Sequence, residues 1–570
     1  MRNELRIRSA AGLALAALAA TPMAVWCQAP VVSAVVDAAS YAPTLGTGGA
    51  IVTIFGTNLA ATTATALSYP LPRQLGGTTV TSSGIAAPLF YVSPTQINLQ
   101  VPFESSSASG LVVSTAAGDS APYDPTVAEP DAWWVEGVFS MNASGCGQGA
   151  VLNDASDGTV SVNSTSNSAS PGEWISIYGT GVSGFGSLIF LLQDGVPTPL
   201  TPLFESLSPD GVVFDIQGQQ ELAPVSQYGS PAGYVGLDQA NGASPSFYGL
   251  APGYVGLDQT NVQIPTSVRE GCAVPVRLES VGEVQAVTQP VTIAIRQGGG
   301  PCVDPPAGGY GQITWQKTVH TTAAQAAAES DTLSVSLQSS PGMQAPAAPT
   351  YTEDAGITSS KILRGPSCPV PGYRSLAAGA VTAQGPGLSS AQIPSSPLAE
   401  GQVAGLSAYQ ATLPNGSIQA GTYTVAASGG ADVGAFQADA QIGADIAIQT
   451  VLAGTTVWGN CQALTINWTG GDPSSWLMVR FIQGSIPAVG GFQWVSFGAQ
   501  AHTSDGTLTV PSGVPGIPCT PSATGESILL SIEVDPDPSE ITTFSASGLS
   551  LGGQATWKYV HTFDAYLNIP

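Results

Sequence analysis

The chain has 570 residues, enough for three to five domains of ordinary size. Only 9% of the residues are charged, whereas 43% are hydrophobic, and the chain carries 68 Gly and 45 Pro. This composition excludes a disordered chain, which needs low hydrophobicity together with high net charge. The formal net charge of −25 repels phosphate backbones and anionic lipid, so we expect no nucleic-acid partner.

Residues 1–29 are predicted to be an export signal peptide. Arginines within the first eight residues precede an apolar stretch over residues 10–26, which is short and Ala-rich for a membrane span. We expect cleavage after Ala29. The alternative, a lipidated Cys27, is disfavoured by the bulky Trp26 before it. No later window approaches 18 uninterrupted apolar residues, so we expect a secreted or cell-surface protein with no membrane span in the mature chain.

A β-strand pattern occurs twice in the N-terminal half. Residues 49–103 contain short runs rich in Val, Ile, Phe and Thr, each ended by Gly, Pro, Asn or Ser, which is typical of strands and turns. The pattern returns at residues 172–186. Both copies end on Gln-x-Asn-x-Gln-x-Pro, at residues 96–102 and 259–265. A repeat at this spacing predicts two copies of one β-domain.

These segments resemble a known module. Ile-Phe-Gly-Thr-Asn-Leu (54–59), Gly-Thr-Thr-Val (77–80) and the stretch 87–102 are similar to an IPT/TIG-type immunoglobulin-like domain. More closely still, they resemble the tandem TIG-like module of large secreted bacterial proteins of unknown function. The resemblance covers roughly residues 30–300. It implies an extracellular β-sandwich and no catalytic residues.

The whole chain is predicted to be all-β, built of tandem immunoglobulin-like β-sandwich domains. After the signal peptide, the expected domains are residues 30–125, 126–300, 306–445 and 446–570.

The second copy contains a short duplication, in which residues 232–239 recur as 252–259. We interpret it as an insertion tolerated in an exposed loop, because loop-closure entropy grows slowly with length. The alternative is a binding loop carrying Tyr228, Tyr234 and Tyr248.

Cleavage of the signal peptide leaves six cysteines, and an even number in an exported chain suggests disulfides. They are Cys146, Cys272, Cys302, Cys368, Cys461 and Cys519. Cys272 opens one strand and Cys302 follows the next, which predicts a bridge across a hairpin. Cys461 and Cys519 flank the last domain and are the second expected pair, which leaves Cys146 with Cys368. Without C-x-x-C spacing, and with three histidines in the chain, we expect no metal site and no cofactor.

Two motifs associated with catalysis are interpreted as turns. Residues 179–184 match G-x-G-x-x-G, but that fingerprint requires a helix at this point, and residues 185–192 read as a strand. Residues 548–552 match the nucleophile elbow G-x-S-x-G, which requires a strand-to-helix turn with an acid and then a histidine after it. Only 18 residues follow it, with His561 before Asp564. We therefore expect no enzymatic activity.

His320 and His561 stand in similar settings, Trp-Gln-Lys-Thr-Val-His-Thr and Trp-Lys-Tyr-Val-His-Thr. This similarity predicts two strands with matched roles, as neighbours; a two-histidine metal site is the alternative. Asp535, Asp537 and Glu540 are interpreted as a solvated acidic turn, with a Ca²⁺ site as the alternative.

The predicted function is that of a secreted or cell-surface, non-catalytic structural or adhesive protein. The alternative is a carbohydrate-binding or carbohydrate-active protein that uses exposed tryptophans of the C-terminal half. Its candidate stacking residues are Trp133, Trp134, Trp476 and Trp494, although the pair at 133–134 is better interpreted as filling a domain junction. The expected partner is a polysaccharide or a cell-surface protein.

Overall fold

The computed structural model describes residues 28–43, 46–105, 110–123, 137–181, 191–206, 210–214, 242–243, 246–280, 284–322, 327–346, 351, 358–364, 368, 372–395, 409–450, 456–458, 463–483, 492–510 and 526–567. Strands dominate these residues. Their helical elements are the single-turn 3-10 helices Thr503–Asp505 and Pro538–Glu540. The predicted all-β class with tandem sandwiches is confirmed.

The first sandwich consists of the strands β1 (Val31–Asp37), β2 (Ile51–Thr57), β3 (Ala64–Thr65), β4 (Thr79–Ser82), β5 (Ile85–Ala86), β6 (Leu89–Val92), β7 (Gln96–Gln100), β8 (Val112–Thr115) and β9 (Gly118–Asp119). Their sheet orders are β1-β2-β7-β6-β3 and β5-β4-β8-β9, antiparallel throughout. As the alternating pattern predicts, Ile97, Leu99 and Val101 are fully buried. They share one core with Val52 and Ile54 of β2.

The second sandwich consists of the strands β10 (Gly137–Val138), β11 (Val151–Asp154), β12 (Val160–Val162), β13 (Trp174–Thr180), β14 (Phe204–Glu205), β15 (Asp210–Phe214), β16 (Gly242–Ala243), β17 (Phe247–Leu250), β18 (Asp258–Gln263), β19 (Gly271–Ser280), β20 (Val284–Val287) and β21 (Val291–Ile295). One sheet has the order β12-β11-β13-β18-β17-β14, with β10 also paired to β13. In the other, β15 and β21 both pair with β19. Ile175 and Ile177 from the first sheet meet Val274 and Ile293 from the second in one core.

The C-terminal region consists of the strands β22 (Ala307–Thr321), β23 (Ala328–Pro341), β24 (Thr358–Arg364), β25 (Arg374–Ser375), β26 (Val381–Gly385), β27 (Leu388–Ile393), β28 (Tyr409–Leu413), β29 (Gly421–Ala427), β30 (Phe436–Ile442), β31 (Ile446–Ile448), β32 (Thr456–Trp458), β33 (Leu464–Gly470), β34 (Trp476–Gln483), β35 (Phe492–His502), β36 (Thr507–Val510), β37 (Glu526–Asp535), β38 (Thr542–Phe544) and β39 (Gly553–Leu567). A long sheet runs β24-β35-β34-β37-β39-β22-β23-β25, and it continues into the second sandwich because β24 pairs parallel with β20. Smaller sheets run β27-β26-β29-β30 and β31-β33-β36.

The ends of this region are paired. β22 and β39 lie parallel over eleven residues, with Gly311 opposite Gly553 and Thr321 opposite Phe563. One hydrophobic cluster extends from Ile313 to Phe563. The two segments expected as the third and fourth domains therefore share a sheet and a core, and the boundary at 445/446 stays a prediction.

Buried polar contacts join the two N-terminal sandwiches. The Thr180 hydroxyl, fully buried, accepts from the Ile51 amide at 2.8 Å and donates to the Gly256 carbonyl at 2.8 Å. The Gln100 side chain accepts from the Gly195 amide at 2.7 Å. The end of β13 in one sandwich thus lies against the start of β2 in the other.

Candidate functional site

Of the four predicted stacking tryptophans, the structure describes one side chain, that of Trp476, and it is buried. Trp476 is 8% exposed, and its ring lies 3.9 Å from that of His502 and 5.5 Å from that of Tyr351. It packs in the interior because it begins β34, a central strand of the long sheet. Trp494 lies in the part of β35, residues 492–499, whose backbone alone is described. Trp133 and Trp134 lie outside the described residues.

Two of the predicted disulfides are present. Cys272–Cys302 closes a 30-residue separation across the antiparallel pair β19 and β21, as the hairpin argument predicts. Cys146–Cys368 joins the second sandwich to the C-terminal region across 222 residues. Cys461 and Cys519 lie outside the described residues.

The two similar histidine segments are neighbours, as predicted, on β22 and β39. The tryptophans are in register, Trp315 opposite Trp557, whereas His320 lies opposite Thr562. Because successive residues of a strand alternate between faces, the one-residue difference places the histidines on opposite faces. His561 faces the core, and His320 is partly exposed.

His561 is held by structural contacts. Its Nε2 lies 3.0 Å from the Thr321 hydroxyl and its Nδ1 3.1 Å from the Tyr559 hydroxyl, and its ring stacks on Phe563 at 4.0 Å. Burial, with a smaller contribution from His320, lowers the pKa of His561 from 6.5 to about 4. Within the described part of the chain, no cluster of three or more His, Cys, Asp or Glu is arranged to hold a metal ion.

The other catalytic-looking motifs are parts of turns where they are described. The segment containing Ser550 connects β38 to β39, so no helix follows it, and the Ser550 hydroxyl accepts from the Gly309 amide at 3.0 Å. Asp537 caps the 3-10 helix Pro538–Glu540, where its side chain accepts from the Ser539 amide at 2.9 Å. Residues 182–184, the second half of the G-x-G-x-x-G segment, lie outside the described residues.

The outer face of the second sandwich, on β11, β13 and β18, carries the best candidate site. Alternation along β13 turns Ile175 and Ile177 into the core and Trp174, Ser176 and Tyr178 outward. Trp174 is 40% exposed. The other tryptophans whose side chains are described, at positions 315, 468, 476 and 557, are all buried.

Polar side chains from the neighbouring strands surround Trp174. Asp154 on β11 and Gln263 on β18 lie directly opposite it. In the next row, the Ser176 hydroxyl lies 2.7 Å from Asp154 Oδ2 and 2.9 Å from Asn261 Oδ1. Ser176 itself is buried, whereas Asp154 and Asn261 are partly exposed. This row therefore presents a carboxylate and an amide at the surface of the face.

An open pocket of about 390 Å³ adjoins this row. It is lined by Phe139, Ala150, Leu152, Tyr178, Tyr254 and Leu257. Tyr254 is 54% exposed. Burial raises the pKa of Tyr178, and the nearby Asp154 and Tyr254 raise it further. The phenol of Tyr178 lies on the pocket wall and can donate a hydrogen bond.

The first sandwich repeats this geometry in part. Thr53 and Asn98 correspond to Ser176 and Asn261, and the two pairs have equivalent registers. In both copies the amide of a glutamine, Gln96 or Gln259, donates to this asparagine, at 2.9 and 2.8 Å. The position of Trp174, however, is occupied by Ile51 in the first copy. Since the Gly256 turn packs against Ile51, an exposed aromatic ring at this position occurs in the second copy and not in the first.

Sequence reasoning missed this site, although its signals are visible. Tyr254 lies in the second half of the duplication, at the position that Tyr234 occupies in the first half. Tyr234 and Tyr228, singled out for a binding loop, lie outside the described residues. Tyr248 is buried beside Phe204 and Leu250. The alternation Trp-Ile-Ser-Ile-Tyr at 174–178 already places both aromatics on the outward face.

The comparisons with known proteins give no family. No protein-family model matches the chain, and no curated protein is significantly similar to it. Among solved structures, immunoglobulin domains 1–5 of Sidekick-1 are similar at 11% identity and a TM-score of 0.11, over 94% of this chain and 100% of that one. Domains 4–9 of the surface layer protein SbsC are similar at 10% identity and a TM-score of 0.11, over 93% of this chain and 81% of that one. A TM-score of 0.11 is too low to establish a common arrangement.

Proposed function

We propose that the protein is an exported, non-catalytic structural or adhesive protein, whose two N-terminal sandwiches are of the IPT/TIG type. The proposal rests above all on the covalent tie Cys146–Cys368, which fixes the second sandwich to a region 222 residues away. Disulfides persist in oxidising compartments, and a bridge between distant segments restricts their relative movement. A protein that spaces or anchors surfaces needs such stiffness.

The contacts between the first two sandwiches support the same role. Arg73 and Asp194 form an ion pair at 3.1 Å across this junction, and Asp194 also accepts from the Phe103 amide at 2.9 Å. Together with the buried Thr180 hydroxyl, these bonds hold two units that a flexible linker would leave free. Within the described residues, no helix has the length and apolar character needed to span a membrane.

A non-catalytic role is favoured by how the titratable groups are used. His561 is buried between hydroxyl partners, and Asp331 accepts from the Ile418 amide at 2.9 Å. Both are engaged in packing contacts instead of facing an open cleft.

Production of the full chain in a bacterial host tests this proposal. Cell fractionation, mass spectrometry of the N-terminus and alkylation of free thiols are the measurements. We expect the protein outside the cytoplasm, processed near residue 29, with Cys146, Cys272, Cys302 and Cys368 protected from alkylation. A cytoplasmic protein with these thiols reactive would contradict the proposal, as would release of reducing sugar or peptide from a panel of polymers.

A further inference from the structure

We propose that the outer face of the second sandwich binds a neutral polysaccharide, with Trp174 and Tyr254 as its stacking residues. This deepens the adhesive role by naming the ligand, and it rests on that role. Tyr254 lines the pocket, and Trp174 lies on the same outward face of β13 as Tyr178 of the pocket wall. The rings of Trp174 and Tyr254 are 40% and 54% exposed. Rings with an apolar face and a polar edge suit sugars, which present C–H groups on one side and hydroxyls around the rim.

The polar row beneath the rings matches sugar hydroxyls. Asp154 and Asn261 are partly exposed on this face, and the second lone pair of a carboxylate or amide oxygen can accept a hydrogen bond from a sugar hydroxyl. Tyr178 adds a phenol on the pocket wall. The pocket is lined by apolar side chains and two tyrosines, and its volume of about 390 Å³ is within the usual size range of a ligand site.

Charge distinguishes a neutral glycan from an acidic one. The chain carries a net charge of −25, and Asp154 lies on the face itself. Among the described residues that line the pocket there is no Lys or Arg. A uronate or sulfated sugar would bring like charge to this surface without a compensating cation, so an uncharged chain is favoured.

The arrangement also suits a chain better than a single sugar. Trp174 and Tyr178 are four residues apart on one face of β13, about 13 Å along the strand. Tyr254 extends the aromatic surface on the far side of Tyr178. Rings at this separation contact different units of one polymer.

A pull-down of the full chain on cellulose, chitin and amylose, with alginate as an acidic probe, tests the inference. We expect binding to at least one neutral polymer and none to alginate. Trp174→Ala and Tyr254→Ala should each weaken binding about tenfold, the loss of one stacked ring. Trp174→Ile installs the residue of the first copy and should act like Trp174→Ala. The matched control is Tyr69→Ala, an equally exposed tyrosine (54%) on the first sandwich, which should bind normally.

Unchanged unfolding midpoints will show that the variants are folded, because both rings are on the surface. The inference is overturned if no neutral polymer binds, if alginate binds equally well, or if Trp174→Ala and Tyr254→Ala bind like the parent protein. Adhesion to cells that soluble glycans do not inhibit would also overturn it, in favour of a protein partner. If the protein is exported and its disulfides are formed, a failure of glycan binding contradicts the glycan inference and not the proposed function. A cytoplasmic protein with reduced cysteines contradicts the proposed function itself.

Discussion

Replacing His561 by glutamine is expected to remove a large part of the acid sensitivity of the C-terminal region. The imidazole is buried, and its pKa falls from 6.5 to about 4 on folding. Because the folded-state pKa is depressed, folding favours the neutral ring. The stability it contributes is therefore complete above pH 6.5 and is lost as the pH falls from 6.5 towards 4.

The magnitude follows from the two pKa values. At pH 7 the imidazole of His561 is mainly neutral in both the folded and the unfolded chain, so keeping it uncharged costs almost nothing. At pH 5 the unfolded chain is largely protonated and the folded one is not, which costs about 2 kcal/mol. Glutamine does not titrate, so His561→Gln should lack this loss, although it is less stable than the parent at pH 7 through poorer packing on Phe563.

Urea unfolding followed by tryptophan fluorescence at pH 7 and pH 5 measures the effect, because Trp315 and Trp557 lie in the same core. The quantity compared is the change in unfolding free energy between the two pH values, parent against variant. His320→Gln, the same substitution at a more exposed position on the adjacent strand, is the control, and its effect on this quantity should be smaller than that of His561→Gln. Equal pH dependence in the parent and His561→Gln would refute the reasoning.

Further substitutions test the junctions. Asp37 is buried in β1, and burial raises its pKa to about 6. Folding therefore favours the neutral carboxyl, and the stability it contributes is lost as the pH rises from about 4 to 6. Between pH 7 and pH 5 the unfolding free energy of the parent should rise by about 1 kcal/mol from this group, and Asp37→Asn should abolish that rise in the same urea titration. Thr180→Val keeps the shape of the side chain but removes a buried hydroxyl that bonds two backbone groups. We expect the unfolding free energy to fall by about 1–3 kcal/mol and proteolysis between the sandwiches to become faster. Proteolysis at the parent's rate would contradict a stabilising junction. A disulfide that closes a longer loop removes more entropy from the unfolded chain, which gives roughly 5 kcal/mol for Cys146–Cys368 and roughly 4 kcal/mol for Cys272–Cys302. Replacing both cysteines of the first bridge by serine should therefore lower the denaturation midpoint more than the same change in the second bridge.

Much of the N-terminal fold is predictable from local pattern. The alternation of Ile97, Leu99 and Val101 identifies a half-buried strand, and the hairpin argument pairs Cys272 with Cys302. Both depend on residues close in sequence, where period and turn chemistry decide the structure. The repeat adds the partner strand, since equivalent Gln-x-Asn-x-Gln segments pair with β2 and with β13 in the same register.

The pairing of strands that are distant in sequence could be predicted only in part. The similarity of the two Trp…His segments suggests neighbouring strands, but no local signal states that β22 and β39 are parallel or that the tryptophans set the register. A one-residue shift reverses the face of every side chain. The same limit applies to the tryptophans. Composition directs attention to the C-terminal half, whereas Trp476 is covered by Tyr351, a residue distant in sequence.

The two copies separate what maintains the fold from what is available for binding. Both sandwiches have a hydroxyl, an asparagine and a glutamine at equivalent positions in one row of the outer face, and the hydrogen bonds between them are nearly the same. Because they occur in both copies, we infer that these side chains stabilise the sheet surface. What differs is the position next to that row. Ile51 lies beneath the Gly256 turn of the neighbouring sandwich, whereas Trp174 lies at the open end of β13, away from the junction. A large aromatic ring in the first position would meet the second sandwich, but in the second position it meets solvent. The tandem arrangement itself therefore determines which copy can expose a binding face.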